Sequence, residues 1–86
     1  MEEQVRVLLF RRDGCAKCPE AKKLLDQLRI KGYESFDVDT EDGLTEASYY
    51  NVVSTPSILI LDNDEEEIAG WRGVVPSSEE ILDFLK

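Results

Sequence analysis

Apolar positions recur along this chain with two different periods. From residue 4 to residue 10 they run together, with β-branched and aromatic members, and predict a buried strand. Residues 11–14 are polar and read as a loop. From Cys15 the period becomes helical: Ala21, Leu24, Leu25 and Leu28 fall at i, i+3, i+4 and i+7, the stripe of a core-facing helix. Glu20, Lys22, Lys23, Asp26 and Gln27 take its outer face, and Gly32 supplies a stop. Residues 33–39 alternate and predict a second strand with Phe36 and Val38 inward. Residues 43–50 read as a weaker helix with Leu44, Ala47 and Tyr50 inward. Ser57–Leu61 is continuously apolar after its first residue and predicts a central strand. Residues 62–65 form a turn, and residues 66–72 return as an antiparallel partner with Ile68 inward. Ser77 and Glu80 have capping-box spacing and open a last helix that buries Ile81, Leu82, Phe84 and Leu85.

The order is β-α-β-α-β-β-α. Strands joined through a helix lie parallel by a right-handed crossover, and strands joined by a tight turn lie antiparallel. The expectation is an α/β fold with a mixed four-stranded sheet flanked by helices. The 86 residues suffice for one domain covering the whole chain.

Composition narrows the partners. The formal net charge is -9, unevenly placed: residues 1–35 hold eight Lys/Arg and six Asp/Glu, residues 36–86 two and thirteen. An acidic surface disfavours nucleic acid, whose phosphates need clustered positive charge. The N-terminus lacks the charged and apolar pattern of a secretory signal, and no run approaches the roughly 20 apolar residues that span a bilayer. A soluble, cytoplasmic monomer is expected. In a reducing compartment a close cysteine pair is redox-active or metal-binding more often than structural.

Cys15-Ala16-Lys17-Cys18 is the only cysteine segment, and it sits between a strand and a helix. Unpaired N–H groups and partial positive charge at a helix N-terminus favour a thiolate. Lys17 adds a charge beside it, and Arg11 and Arg12 add more. Cys15 is therefore expected to ionise below the free thiol and to act as nucleophile. Cys18, deeper in the helix, would attack the mixed disulfide and release product. Pro19 stiffens the segment and is tolerated in a first turn.

Other readings of the pair stay open at this point. A structural disulfide closing so short a loop stabilises weakly. With two cysteines and no histidine, zinc or an iron–sulfur cluster needs ligands from a second chain. A redox-inactive binding module is the third.

Residues 10–28, FRRDGCAKCPEAKKLLDQL, resemble the active-site strand, loop and helix of glutaredoxins and of small archaeal-type thioredoxins. Residues 50–57, YNVVSTPS, resemble the thioredoxin-superfamily segment that ends in a cis-proline before a central strand, and Gly70-Trp71-Arg72-Gly73 matches the end of that fold. The resemblance implies a thiol–disulfide oxidoreductase that needs no cofactor beyond a Cys15–Cys18 disulfide and binds no metal. It implies that Pro56 is cis beside that disulfide, and that Thr55 offers its main chain to an extended substrate. Gly73 stands where glutaredoxins carry a glycine pair that contacts glutathione. The implied partners are disulfide-containing proteins and an upstream reductase, thioredoxin reductase or a ferredoxin-linked enzyme, with glutathione as an alternative. Three positions depart from the pattern. Gly14 replaces the tryptophan that large thioredoxins place before the first cysteine. Leu9 replaces their buried aspartate, so proton handling at Cys18 falls to water or a neighbouring side chain. Lys17, between the cysteines, is expected to favour the thiolate and so raise the reduction potential.

Overall fold

Ser57–Leu61 is buried at every position, and the sheet is built around it. The computed structural model describes residues 5–30 and 32–85. Its elements are β1 (Arg6–Arg11), α1 (Cys18–Gln27), β2 (Glu34–Asp37), α2 (Glu41–Tyr49), β3 (Ser57–Leu61), β4 (Glu67–Arg72) and α3 (Ser78–Phe84). The strand order is β2-β1-β3-β4, with β1 and β2 parallel and the other two pairings antiparallel. This is the minimal thioredoxin fold expected from the sequence. The expected first strand began at Gln4, which lies outside the described residues.

Alternation along β1 and β3 sends side chains to two cores. Val7, Leu9, Ile58 and Ile60 meet Ala21 and Leu25 of α1 and Ile81 of α3 on one face. Leu8, Phe10, Leu59 and Leu61 meet Ala47 of α2 and Val52 on the other. Each fully buried Leu, Ile or Phe contributes about 1.5–3 kcal/mol, so the two central strands dominate stability. Both α1 and α2 end in a Schellman motif. In α1 the Arg29 and Ile30 N–H groups donate to the Asp26 and Leu25 carbonyls, with Arg29 left-handed at φ 57. In α2 the Asn51 and Val52 N–H groups donate to Ser48 and Ala47, with Asn51 left-handed at φ 59.

Five sequence expectations need correction. Helix α1 starts at Cys18, with Lys17 as N-cap, rather than at Cys15. A helix already running at Cys15 would need an N–H from Pro19 to the Cys15 carbonyl, and proline has none. The stop is Arg29, because the Schellman bonds close before Gly32 is reached. Leu44 is 57% exposed, since α2 approaches β2 through the small residues Gly43 and Ala47 instead. Ile68 is exposed because β4 is bulged: Ile60 pairs with Ala69 and Leu61 with Glu67, which leaves Ile68 as the extra residue. Leu82 and Phe84 are each 42% exposed, because α3 reaches the core through Ile81 and Leu85 alone. The Ser77–Glu80 capping box forms as read.

Candidate active site

Strand β1 delivers the chain to the sheet end where the cysteines lie. Phe10 pairs with Ser57 and Ser57 with Arg72, so Arg11, Pro56 and Gly73 follow one another across this end. The polar loop 12–14 then carries the chain to Cys15. Cys18 is the first residue of α1, whose Ala21 and Leu25 are fixed in the core beside Leu9. Cys15 and Cys18 are joined by a disulfide, with Cα atoms 5.4 Å apart. Cys15 is half-buried and Cys18 only 6% exposed. Of the two, Cys15 is the more open to solvent.

Two hollows meet at Arg12. One, of about 260 Å³, holds both cysteines with Arg11, Asp13, Gly14, Pro19 and Lys22. The other, of about 400 Å³, lies between α2 and residues 51–55 and includes Leu44, Val53 and Thr55. Beneath the second, the Thr55–Pro56 peptide bond is cis and Pro56 is buried. The Pro56 carbonyl accepts from the Gly73 N–H at 2.8 Å. Gly73, named from sequence as a substrate contact, thus supports the proline segment with its N–H.

The cations are arranged differently from the sequence reading. Arg11 lines the cysteine cleft, but its Nε donates to Ser35 Oγ at 2.7 Å and its Nη1 lies 3.8 Å from Asp37. Arg12 Nη2 donates to Asp39 Oδ1 at 3.0 Å. Both guanidinium groups are thus turned toward carboxylates of β2 and the residues after it. Lys17 is exposed and outside the cleft, and among the described residues none pairs with its ammonium. Lys22 lines the cleft instead. It lies four residues after Cys18, one turn along the same helix face, and that spacing was the available signal. Its Nζ donates to Asp26 Oδ2 at 2.9 Å, and Tyr33 Oη donates to Asp26 Oδ1 at 2.8 Å. The two bonds hold the Asp26 carboxyl below its usual range, and the Asp26 bond raises Lys22.

Among the described residues no carboxylate is buried. Leu9 is fully buried among apolar side chains, and among the described residues Ser57 is the only buried polar one. Its Oγ donates to the Ser54 carbonyl at 2.8 Å. Among the described residues Asp13 is the one carboxylate lining the cysteine cleft. Among the described residues no group of three or more His, Cys, Asp or Glu is arranged to hold a metal ion. No described helix is long and apolar enough to cross a membrane.

The sequence matches the glutaredoxin family over residues 7–74. Several solved structures share the backbone. Thioredoxin-2 of the malaria parasite, described as a component of its protein secretion machinery, is 27% identical with a TM-score of 0.77, over 99% of this chain and 84% of that one. A second malarial protein is 27% identical with a TM-score of 0.74, over 94% and 92%. A mutant thioredoxin from Halobacterium salinarum, 22% identical with a TM-score of 0.75 over 93% and 70%, shares the fold. No curated protein sequence matches.

Proposed function

This chain belongs to the glutaredoxin family, and from that premise we propose that it reduces protein disulfides through the Cys15–Cys18 pair. Its class is thiol–disulfide oxidoreductase. The observation that carries the finer reading is the unequal burial of two bonded sulfurs, Cys15 half-buried and Cys18 nearly enclosed at the start of α1.

In the reduced protein the Cys15 thiolate attacks one sulfur of the substrate disulfide. A bond forms from Cys15 to that sulfur, the substrate disulfide breaks, and the other substrate sulfur leaves as a thiolate that takes up a proton. Cys18 loses its proton to water or to Asp13 in the cleft and attacks Cys15. The mixed disulfide breaks, the Cys15–Cys18 bond forms, and the second substrate thiol departs. The substrate gains two electrons and two protons: the pair supplies both electrons and the Cys18 proton, and water supplies the other proton. An upstream reductase then supplies two electrons to reset it. Thr55 presents its main chain to an extended segment of the substrate, as in strand addition. The reading places the protein in a reducing cytoplasm, acting as a monomer with no added cofactor.

Reduction of insulin by purified variants tests the assignment. Cys15→Ser is expected to abolish turnover, and Cys18→Ser to accumulate a mixed disulfide through Cys15. Full activity in Cys15→Ser would remove the proposal. Supplying thioredoxin reductase, a ferredoxin-linked reductase and glutathione in parallel identifies the donor.

A further inference from the structure

Residues 51–56 connect α2 to β3 and carry Thr55 and Pro56 to the site, and their two ends are tied to the last residue of β4 and the residue after it. At the near end, Arg72 Nη2 donates to the Tyr50 carbonyl at 2.9 Å. At the far end, the Gly73 N–H donates to the Pro56 carbonyl at 2.8 Å. Two consecutive residues, at and just past the end of β4, thus grip the two ends of one loop.

Arg72 is itself held. Its Nη1 and Nη2 donate to the two carboxylate oxygens of Glu67, at 2.9 and 2.7 Å. Residues five apart on a regular strand face opposite sides of a sheet. The bulge at Ile68 changes that parity: Glu67 lies opposite Leu61, Gly70 opposite Leu59 and Arg72 opposite Ser57. All three sit on the face that α2 covers, where Leu59 and Leu61 form the core beneath it. Gly70 leaves the space for the pair. A Cβ there would collide with the Glu67 carboxylate, the Arg72 guanidinium and the Leu59 side chain. Gly73 does the same for the loop, with φ 77 and no room for a Cβ beside Ser54 Oγ.

We propose that Arg72, anchored by Glu67 across the bulge, is a positioning residue that holds loop 51–56 in the shape that presents Thr55 to protein substrates. This rests on the proposed reduction of protein disulfides. The arginine fork is needed because one nitrogen, Nη2, serves both Glu67 and the Tyr50 carbonyl while Nη1 fixes the plane. A lysine offers a single ammonium without that fork. A loop already ordered spares the substrate the entropy of ordering it, so its benefit falls on binding more than on sulfur chemistry.

Arg72→Lys, with Glu67→Gln as a second variant, tests the clamp by two independent readouts. The first is amide hydrogen exchange, expected to speed up across residues 51–55 while β1 and β3 stay protected. The second is insulin reduction, where KM is expected to rise about fivefold with kcat changing less than about twofold, as when binding alone is lost. Unchanged exchange in residues 51–55, or an equal rise in β1 and β3, overturns the clamp. A loosened loop with unmoved KM overturns the positioning role. A wild-type chain that reduces no protein disulfide overturns the proposed function instead, and the exchange measurement still judges the clamp.

Discussion

Gly43 lies directly against the main-chain carbonyl of Asp37, so that a Cβ on Gly43 would overlap the oxygen. Helix α2 is thereby seated on the end of β2, with Thr40 as N-cap and its hydroxyl accepting from the Gly43 N–H at 3.0 Å. The same helix forms one wall of the hollow beside Thr55. A side chain at position 43 would lift α2 from the sheet and disturb that wall.

Gly43→Ala is therefore expected to destabilise the protein although alanine is the better helix former. Overpacking of this kind costs about 1–3 kcal/mol, more than the roughly 1 kcal/mol that helix propensity returns. Urea unfolding of the variant checks it, and a midpoint at or above wild type would contradict the packing described.

Lys22 and Lys17 should differ in their effect on Cys15, because only Lys22 lines the cysteine cleft. Lys22→Glu is expected to slow alkylation of reduced Cys15 at neutral pH by about three- to tenfold, through a smaller thiolate fraction. Lys17→Glu is expected to slow it less than about twofold, since Lys17 lies outside the cysteine cleft. Alkylation rates measured across pH give both thiol titrations, and an equal effect of the two variants would contradict this assignment.

The Glu67–Arg72 pair should be visible in acid. Arg72's two N–H groups hold the Glu67 carboxyl below its ordinary value of 4.5. A carboxyl depressed in the folded state adds stability that is complete above the unfolded value and is lost as pH falls through the folded one. The loss therefore begins below about pH 5 and completes at the lower folded value. With the two side chains 34% and 32% exposed, it should amount to no more than about 1 kcal/mol. Unfolding free energies between pH 6 and 3 are expected to fall less steeply in Glu67→Gln than in wild type. Parallel curves would remove the pair from the acid response.

Much of the chain was legible where the deciding forces are local. Ser57–Leu61 announced itself as a central strand because an unbroken apolar run has no solvent face to offer. The Ser77–Glu80 box needed three residues of spacing and nothing else. The cysteine pair was conspicuous by composition and by its place after a strand. The helical period puts Lys22 on the outer face of α1, and the structure shows that this face, one turn after Cys18, borders the cysteine cleft. Ideal periods put Leu44 and Ile68 inward, and the structure exposes both. A close helix–sheet contact at Gly43 shifted one face, and one extra strand residue shifted the other.

Sequence alone determined the element order, the two core stripes on β1 and β3, and the cysteines as the reactive groups, since periodicity, capping and thiol chemistry act over a few neighbouring residues. Tertiary structure decided how the cations are arranged around the cleft, and how Glu67 and Arg72 come to one face and reach Tyr50. Those outcomes depend on strand register and on how closely elements approach, and register is set by the summed packing of the whole sheet, which no short window of residues contains.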